Sequence, residues 1–259
     1  MDFGLYGKVA IVGGASMGIG YGIAQQLAAE GAKLVITARR DPRLSEAADR
    51  ICAQTGAEVL PVLADCRKAE DCAHVVEAAL SRFGGIDSVV NNDGAPPLGA
   101  LASFDDTAWA KAVEQNLMYV VRMTRAAVPH LKARGGGGIL NITAISALQP
   151  MAGFGLSVAT WGGVIGFAKT LSLELARDNI NVNTICPGYI ETQRLEKVFA
   201  AEGQDPRGVR RKLEAEVPMG RIGTVEDIAG IVALLVSPRG RYITGTAIQV
   251  DGGLLRAVR

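Results

Sequence analysis

A glycine-rich turn near the N-terminus has the composition of a site for a phosphate-bearing ligand. It reads GGASMGIG and lies between the apolar run Val9–Val12 and a helix predicted over Gly18–Glu30. Glycine lets the backbone approach a pyrophosphate closely, and the N-terminus of the following helix supplies N–H groups and the positive end of its dipole. A strand before the turn and a helix after it therefore predict a dinucleotide site. The residues expected to contact the ligand are Gly14, Ser16, Gly18, Ile19 and Gly20.

Two arginines at the end of the second apolar run bear on which dinucleotide binds. The segment reads Thr37-Ala38-Arg39-Arg40, and it has no acid that could accept hydrogen bonds from the ribose hydroxyls of NAD. A guanidinium group instead matches the oxygens of a 2′-phosphate. We therefore expect NADP as the cofactor, with NAD as the alternative if Arg39 and Arg40 are only solvated surface charges.

Short β-branched runs alternate along the chain with longer segments whose apolar residues recur at helical spacing. The runs are Val9–Val12, Leu34–Thr37, Val59–Leu63, Ser88–Asn91, Ile139–Thr143, Val182–Cys186 and Ala247–Val250. The helical segments are Gly18–Glu30, Arg43–Thr55, Lys68–Phe83, Asp106–Ala133 and Gly163–Arg177. Runs that are apolar throughout are typical of buried parallel strands. The alternation predicts one doubly wound α/β domain, with a seven-stranded parallel sheet and helices on both faces.

Composition and charge argue against several other classes of protein. The 259 residues carry a formal net charge of +1, which gives no electrostatic reason to expect nucleic acid or an anionic membrane as a partner. The four cysteines lack CxxC spacing and the chain has two histidines, so we expect no metal site. No apolar stretch reaches the roughly 20 residues of a membrane span, and the N-terminus lacks the features of a secretion signal. We therefore expect a cytoplasmic protein.

Further motifs follow the glycine turn in a fixed order along the chain. They include Asn91-Asn92-x-Gly94, Asn116 and Pro187-Gly188. Together with the glycine turn, this series resembles the short-chain dehydrogenase/reductase family over nearly the whole chain. The resemblance implies a single Rossmann-type domain over residues 1–259 that binds NADP or NAD. It adds Asp65, Asn92, Gly94, Pro187, Gly188 and Thr192 to the expected cofactor-binding residues.

The resemblance also implies a small-molecule substrate and a homodimer or homotetramer. Relatives pair through the long helices that correspond here to Asp106–Ala133 and Gly153–Arg177. The charged segment Glu191–Gly220 follows the sixth apolar run, on the side where doubly wound sheets bind ligands. We expect this segment to form a mobile substrate lid, with an ordinary surface helix as the alternative.

Three residues that carry the family's chemistry are replaced in this chain. The family has a Ser followed, thirteen residues on, by Tyr-x-x-x-Lys, and here Ala144, Ser157 and Trp161 occupy those positions. An alanine has no polar atom, a serine is shorter and less acidic than a phenol, and an indole has no charge to lower a neighbour's pKa. The family's Asn survives as Asn116, and Tyr189 is the best spare phenol. We predict slow ketone reduction, with Asn116, Ser157 and Tyr189 as the candidate catalytic residues.

Two further departures from the family pattern fall in the predicted cofactor site. Gly13 stands where the family has a Thr, and Asp93 stands where it has the Ala of NNAG. We expect the two changes to compensate each other, because a carboxylate accepts backbone N–H bonds as the Thr oxygen does.

Three hypotheses about function follow from these substitutions. The first is an NADP(H)-binding oxidoreductase that works without the usual proton donor, for example on an iminium. The second is a non-catalytic pseudoenzyme or regulatory subunit. The third is a non-redox enzyme, such as a lyase or hydrolase, that reuses the cofactor pocket.

Overall fold

Seven strands pair in parallel to form one sheet. The computed structural model describes residues 2–94, 96–193, 195 and 206–257. The strands are β1 (Val9–Val12), β2 (Lys33–Ala38), β3 (Val59–Leu63), β4 (Ser88–Asn91), β5 (Gly137–Ile142), β6 (Ile180–Pro187) and β7 (Ala247–Val250). Their order in the sheet is β3-β2-β1-β4-β5-β6-β7. The doubly wound parallel sheet predicted from the apolar runs is confirmed.

Helices cover both faces of this sheet. They are α1 (Gly18–Ala29), α2 (Arg43–Thr55), α3 (Ala69–Phe83), α4 (Asp106–Val113), α5 (Tyr119–Ala133), α6 (Gly155–Leu175), α7 (Pro206–Glu216) and α8 (Val225–Val236). Successive residues of a strand point to opposite faces. In β1, Ala10 and Val12 belong to one hydrophobic core and Ile11 belongs to the other. This is why a strand buried on both faces is apolar at every position.

Two predicted helical segments differ from the structure by more than a one-residue shift at an end. Helix α6 begins at Gly155, whereas the predicted helix begins at Gly163. The prediction omitted the first turns because they are largely apolar and show no helical periodicity. The segment predicted as one helix over Asp106–Ala133 is interrupted by a π-helical turn at Glu114–Met118. Hydrophobic spacing does not reveal a π-helical turn, because one inserted residue shifts the pattern only locally. Such turns are frequent at functional sites.

One helical segment, Gly155–Asp178, is long and apolar enough to cross a membrane by length and composition. This corrects the expectation that no apolar stretch in the chain reaches the length of a membrane span. A core helix of a soluble protein passes the same test. A third of the most apolar window is buried within the protein. The helix packs against β6, and Val164, Ala168 and Leu175 lie in the hydrophobic core. The absence of a membrane partner therefore stays a prediction.

A buried carboxylate holds together the end of the sheet opposite the glycine turn. Asp87, just before β4, accepts hydrogen bonds from the Val9 backbone N–H at 2.9 Å, from Lys8 Nζ at 3.1 Å and from Arg134 Nη2 at 2.9 Å. Burial raises the pKa of Asp87, but the hydrogen bonds from Arg134, Val9 and Lys8 outweigh it and hold that pKa below its ordinary value.

This arrangement predicts how stability changes in acid. A lowered pKa in the folded state contributes stability above the carboxyl's ordinary pKa, and this contribution is lost as the pH falls toward the folded value. The Asp87→Asn variant should lose about 1–3 kcal/mol at neutral pH, because charged hydrogen bonds are weakened. Its melting temperature should also fall less steeply than the wild type's between about pH 5 and 3. If the melting temperatures of the wild type and the variant fall equally with pH over this range, the role assigned to Asp87 is wrong.

Candidate cofactor and substrate site

The predicted phosphate turn lies where the strand order reverses. Strand β1 has β2 on one side and β4 on the other. The chain therefore adds β2 and β3 on one side of β1 and then crosses back to add β4 on the other side. Doubly wound sheets bind ligands in the crevice at the carboxyl ends of such strands. The turn after β1 contacts the turn after β4 there: Gly13 N–H donates to Val90 O at 3.0 Å, and Asn92 Nδ2 donates to Gly13 O at 3.1 Å.

Three of the four glycines in the turn are required by its backbone conformation or by close backbone contacts. Gly14 and Gly18 have φ of 57° and 58°, which residues with side chains rarely adopt. A side chain at Gly20 would collide with the carbonyl oxygen of Gly14. Helix α1 then begins without a side-chain cap from Met17. Its first N–H groups therefore lack a side-chain acceptor, as an anion-binding helix N-terminus requires.

A cavity of about 450 Å³ extends from this turn toward the end of β2. Nine predicted cofactor-binding residues line it: Gly14, Ser16, Gly18, Ile19, Arg39, Arg40, Asn92, Gly94 and Thr192. The sequence analysis missed Arg43 and Tyr119 on the same wall. Arg43 lies four residues after Arg39 at the first turn of α2, a spacing that could have indicated it. The contact of Tyr119 with the glycine turn joins residues far apart in the chain, so no sequence pattern indicates it.

Three arginines line the end of this cavity near β2. Arg39, Arg40 and Arg43 are exposed, and none forms an ion pair with another residue in the described part of the chain. A side chain added to Gly94 would lie 3.9 Å from Nη2 of Arg39, so the guanidinium reaches across to the turn after β4. Unpaired guanidinium groups at this position suit a phosphate ligand.

Four predicted cofactor-binding residues lie elsewhere. Gly20 is behind the turn, and Pro187 and Gly188 line the neighbouring cavity described below. Asp65 is not brought to a cavity wall, because Arg67 takes both its carboxylate oxygens, at 2.7 Å from Nε and 2.5 Å from Nη2. The hydrogen bond from Arg67 is the largest cause that lowers the pKa of Asp65. Its chain neighbours Ala64 and Cys66 line the first cavity, so the role of Asp65 in cofactor binding stays a prediction.

A second cavity of about 250 Å³ adjoins the first at the carboxyl ends of β5 and β6. Its wall is mainly apolar and includes Ala144, Met151, Phe154, Trp161, Tyr189 and Leu213. Helix α7 closes one side, in the region of the predicted lid. Arg210 on this helix holds Glu191 at 2.8 Å and Glu214 at 2.9 Å. Residues 194 and 196–205 of the predicted lid lie outside the described residues.

The positions of the family's catalytic residues are distributed differently in this chain. Ala144 and Trp161 lie on the wall of the apolar cavity. Ser157 does not, because its side chain is only 1% exposed and its short hydroxyl stays within the first turn of α6. The Ser157 hydroxyl has no hydrogen-bond partner among the described residues. The geometry therefore does not bring Ser157 into the candidate site.

The other two candidate catalytic residues are held by neighbouring side chains. Asn116, in the π-helical turn, donates from Nδ2 to Thr160 Oγ1 at 2.8 Å and lines a small space shared with Trp161. The Tyr189 ring lies on the apolar wall, and its hydroxyl hydrogen bonds to Glu216 Oε2 on α7 at 3.0 Å. Tyr189 thus connects the end of β6 to the helix that covers the cavity.

The structure also corrects the expected pairing of Gly13 with Asp93. The Asp93 carboxylate accepts from the N–H of Gly94 at 2.7 Å, within its own turn. Burial is the main cause that raises the pKa of Asp93, while the Gly94 N–H, Arg39 and Arg67 act in the opposite direction. The space beside Gly13 is filled instead by the hydroxyl of Tyr119, with which a side chain at position 13 would collide.

Among the described residues, no group of three or more His, Cys, Asp or Glu side chains could hold a metal ion. The expectation that the protein needs no metal is not tested by this observation and stays a prediction. The four cysteines are free thiols, and three of them are buried.

Comparison with known proteins decides the family. A sequence model described as Enoyl-(Acyl carrier protein) reductase matches residues 14–255. The chain is 35% identical over 250 residues to dehydrogenase/reductase SDR family member 4 of Oryctolagus cuniculus, covering 96% of this chain and 94% of that one. The chain belongs to the short-chain dehydrogenase/reductase family. It is thus a member of an oxidoreductase family, as its motifs predicted.

Two other members of the short-chain dehydrogenase/reductase family extend the comparison. The 3-oxoacyl-[acyl-carrier-protein] reductase FabG of Chlamydia muridarum is 36% identical over 255 residues, covering 96% of this chain and 98% of that one. The structure of L-sorbose reductase from Gluconobacter frateurii, complexed with NADPH and L-sorbose, superimposes with a TM-score of 0.94 at 37% identity. The match covers 100% of both chains.

The arginines at the cavity predict a preference between the two dinucleotides. Charge-assisted hydrogen bonds to a 2′-phosphate should make NADPH bind about 10–100-fold more tightly than NADH. Arg39→Ala or Arg40→Ala should weaken NADPH binding and leave NADH binding nearly unchanged, as measured by fluorescence titration. Arg50→Ala is the matched control, because this arginine of α2 stacks on Tyr21 at 4.7 Å, away from the cavity. Equal wild-type affinities, or equal losses for both dinucleotides, would rule out this assignment.

Proposed function

We propose that the chain is an NADP(H)-binding oxidoreductase that reduces acceptors needing hydride but no proton from the protein. The observation that carries this proposal is the contrast between the two cavities. The cofactor cavity keeps the glycine turn, Asn92 and the arginines. The adjoining cavity has Ala144 and Trp161 where the family has a hydroxyl and an ammonium group. The chain therefore keeps the residues expected to bind the cofactor, and it lacks the residues that supply the proton in the family.

The residues present fit an NADP(H) molecule. The turn at Gly14 and Gly18 and the uncapped start of α1 suit its pyrophosphate, and Arg39, Arg40 and Arg43 suit the 2′-phosphate. When bound, the dinucleotide supplies a hydride from C4 of the reduced nicotinamide. The NADPH held by L-sorbose reductase supports the same cofactor here.

The apolar wall favours some acceptors over others. Reduction of a ketone leaves negative charge on oxygen, which a positioned acid normally neutralises at a gain of about 10²–10⁴-fold in rate. Ala144 and Trp161 cannot neutralise that charge, and their apolar surroundings make it more costly. An iminium carbon takes the hydride while the C=N π electrons become the nitrogen lone pair, so no proton is needed. The aromatic faces of Phe154 and Trp161 also suit a cationic ligand.

A non-catalytic subunit is the second candidate, and the position of Trp161 favours it. Its indole stands where the family's Lys holds the cofactor ribose, and it lines both the apolar cavity and the space beside Asn116. A side chain of this size excludes water and could equally support a partner subunit. A non-redox reaction in the same pocket stays a third hypothesis, which no specific contact favours among the described residues.

We also propose that the protein is a cytoplasmic homodimer or homotetramer. Helix α6 supports self-association, because the exposed residues of its first half are alanine and glycine and because Leu173 further along is 72% exposed. The exposed Gly162 and Gly166 lie one helical turn apart on this helix and would let another helix approach closely. Exposed apolar faces of this kind mark protein–protein contacts in soluble proteins.

Restoring the family's catalytic residues tests the proposal. The triple change Ala144→Ser, Ser157→Tyr and Trp161→Lys should raise ketone reduction by about 10²–10⁴-fold, and each single change should do far less, because such residues act as a unit. Steady-state NADPH oxidation measures the rates. Melting temperatures serve as the control, because Trp161→Lys removes a large side chain and opens a cavity. Wild-type turnover of an ordinary ketone at about 10 s⁻¹ would refute the proposal, because that is the rate of a typical complete active site.

A further inference from the structure

Gly13 is a glycine whose backbone conformation does not require one. Its neighbours Gly14 and Gly18 have positive φ, whereas Gly13 is not among the residues with positive φ. Its N–H donates to Val90 O at 3.0 Å, so it continues the pairing of β1 with β4. The absence of a side chain at position 13 is therefore a matter of space, and a neighbouring group must occupy that space.

The group that occupies it is the phenol hydroxyl of Tyr119. A Cβ built on Gly13 would collide with Oη of Tyr119 and would lie 2.7 Å from the carbonyl oxygen of Asn92. Tyr119 is the first residue of α5 and is only 3% exposed, with its ring in the hydrophobic core and its hydroxyl at the cofactor cavity. Burial holds the pKa of Tyr119 well above its ordinary value. The hydroxyl therefore stays neutral and keeps both its donor and its acceptor.

This hydroxyl is bonded to the backbone of the turn after β4. The Asn92 N–H donates to Tyr119 Oη at 3.2 Å, and Oη lies 3.5 Å from Asn92 O. The Asn92 side chain in turn donates to the carbonyl oxygens of Gly13, at 3.1 Å, and Gly14, at 3.4 Å. A continuous set of contacts thus runs from α5 through Asn92 to the glycine turn that faces the phosphates.

We infer that Tyr119 is a positioning residue of the cofactor site and that Gly13 makes room for its hydroxyl. The phenol hydroxyl hydrogen bonds to the backbone of the turn after β4, as a hydroxyl side chain at position 13 would otherwise do. The inference rests on the cofactor-binding half of the proposed function and is independent of whether hydride transfer occurs. It concerns where the pyrophosphate turn is held, so its direct readout is NADPH affinity.

The Tyr119→Phe variant removes one oxygen and keeps the ring. The Asn92 N–H is then left without its acceptor in a partly buried position, which is costly. We expect NADPH to bind about tenfold more weakly to the folded variant, as measured by fluorescence titration well below its melting temperature. Unchanged NADPH affinity in Tyr119→Phe would overturn the inference. If no variant or wild type bound NADPH at all, the cofactor assignment itself would fail instead.

A double-mutant cycle then tests the shared space. Gly13→Ala alone should weaken NADPH binding by more than tenfold, because its methyl group collides with the Tyr119 hydroxyl. In the Tyr119→Phe background the same change should cost much less, because one carbon replaces one oxygen and the packed volume is kept. The close approach of Asn92 O is present in both backgrounds and cancels in the comparison.

Asp93→Ala combined with Gly13→Ala is the matched control. Asp93 lies in the same turn but bonds to Gly94, so these two changes should be additive. Additive effects of Gly13→Ala and Tyr119→Phe would overturn the inference, as would coupling of Gly13 to Asp93 of equal size. If Gly13→Ala fails to fold, the affinity of Tyr119→Phe, with circular dichroism to verify folding, decides alone.

Discussion

The contact between the turns after β1 and β4 is the constraint on which the candidate site depends. At this point the strand order reverses, and the two turns must come close enough to form one crevice. The Asn92 side chain joins them by donating to the carbonyl oxygens of Gly13 and Gly14. Gly14 is required on one side, because its φ is 57° and a Cβ there would lie 2.8 Å from the side-chain nitrogen and the carbonyl oxygen of Asn92. The position of a pyrophosphate, and through it of every reacting atom, follows from this junction.

The cofactor half and the substrate half of the candidate site are built in different ways. The cofactor half depends on the backbone geometry of the glycine turn, on the N-terminus of helix α1 and on exposed arginines. These features are compatible with many substitutions elsewhere in the chain. The substrate half depends on side chains that project from the ends of β5 and β6 and from α6. Here Trp161 and Ala144 have replaced charge and hydroxyl by apolar surface. A mainly apolar wall with no cationic side chain among its described residues makes new negative charge costly.

How much the sequence could predict depended on whether each feature is local. The strands and the glycine turn were predictable, because apolar runs and the conformations of Gly14 and Gly18 are fixed by nearby residues. The start of α6 was missed because its first turns are apolar all round. The role of Tyr119 was not predicted, because its contacts join residues far apart in the sequence. The ion pair of Asp65 with Arg67 and the burial of the short Ser157 side chain likewise depend on the folded chain. Such contacts arise only when the chain is folded.

The most direct test of a cofactor site without a proton donor is a single-turnover comparison of two acceptors. A cyclic iminium and the ketone of the same ring would each be mixed with the NADPH-loaded protein, and loss of NADPH absorbance would be followed over a range of pH. We predict that the iminium is reduced about 10²–10⁴-fold faster than the ketone, at a rate independent of pH so long as the acceptor stays charged. Equal rates for the two acceptors, or reduction of neither by protein with bound NADPH, would contradict it.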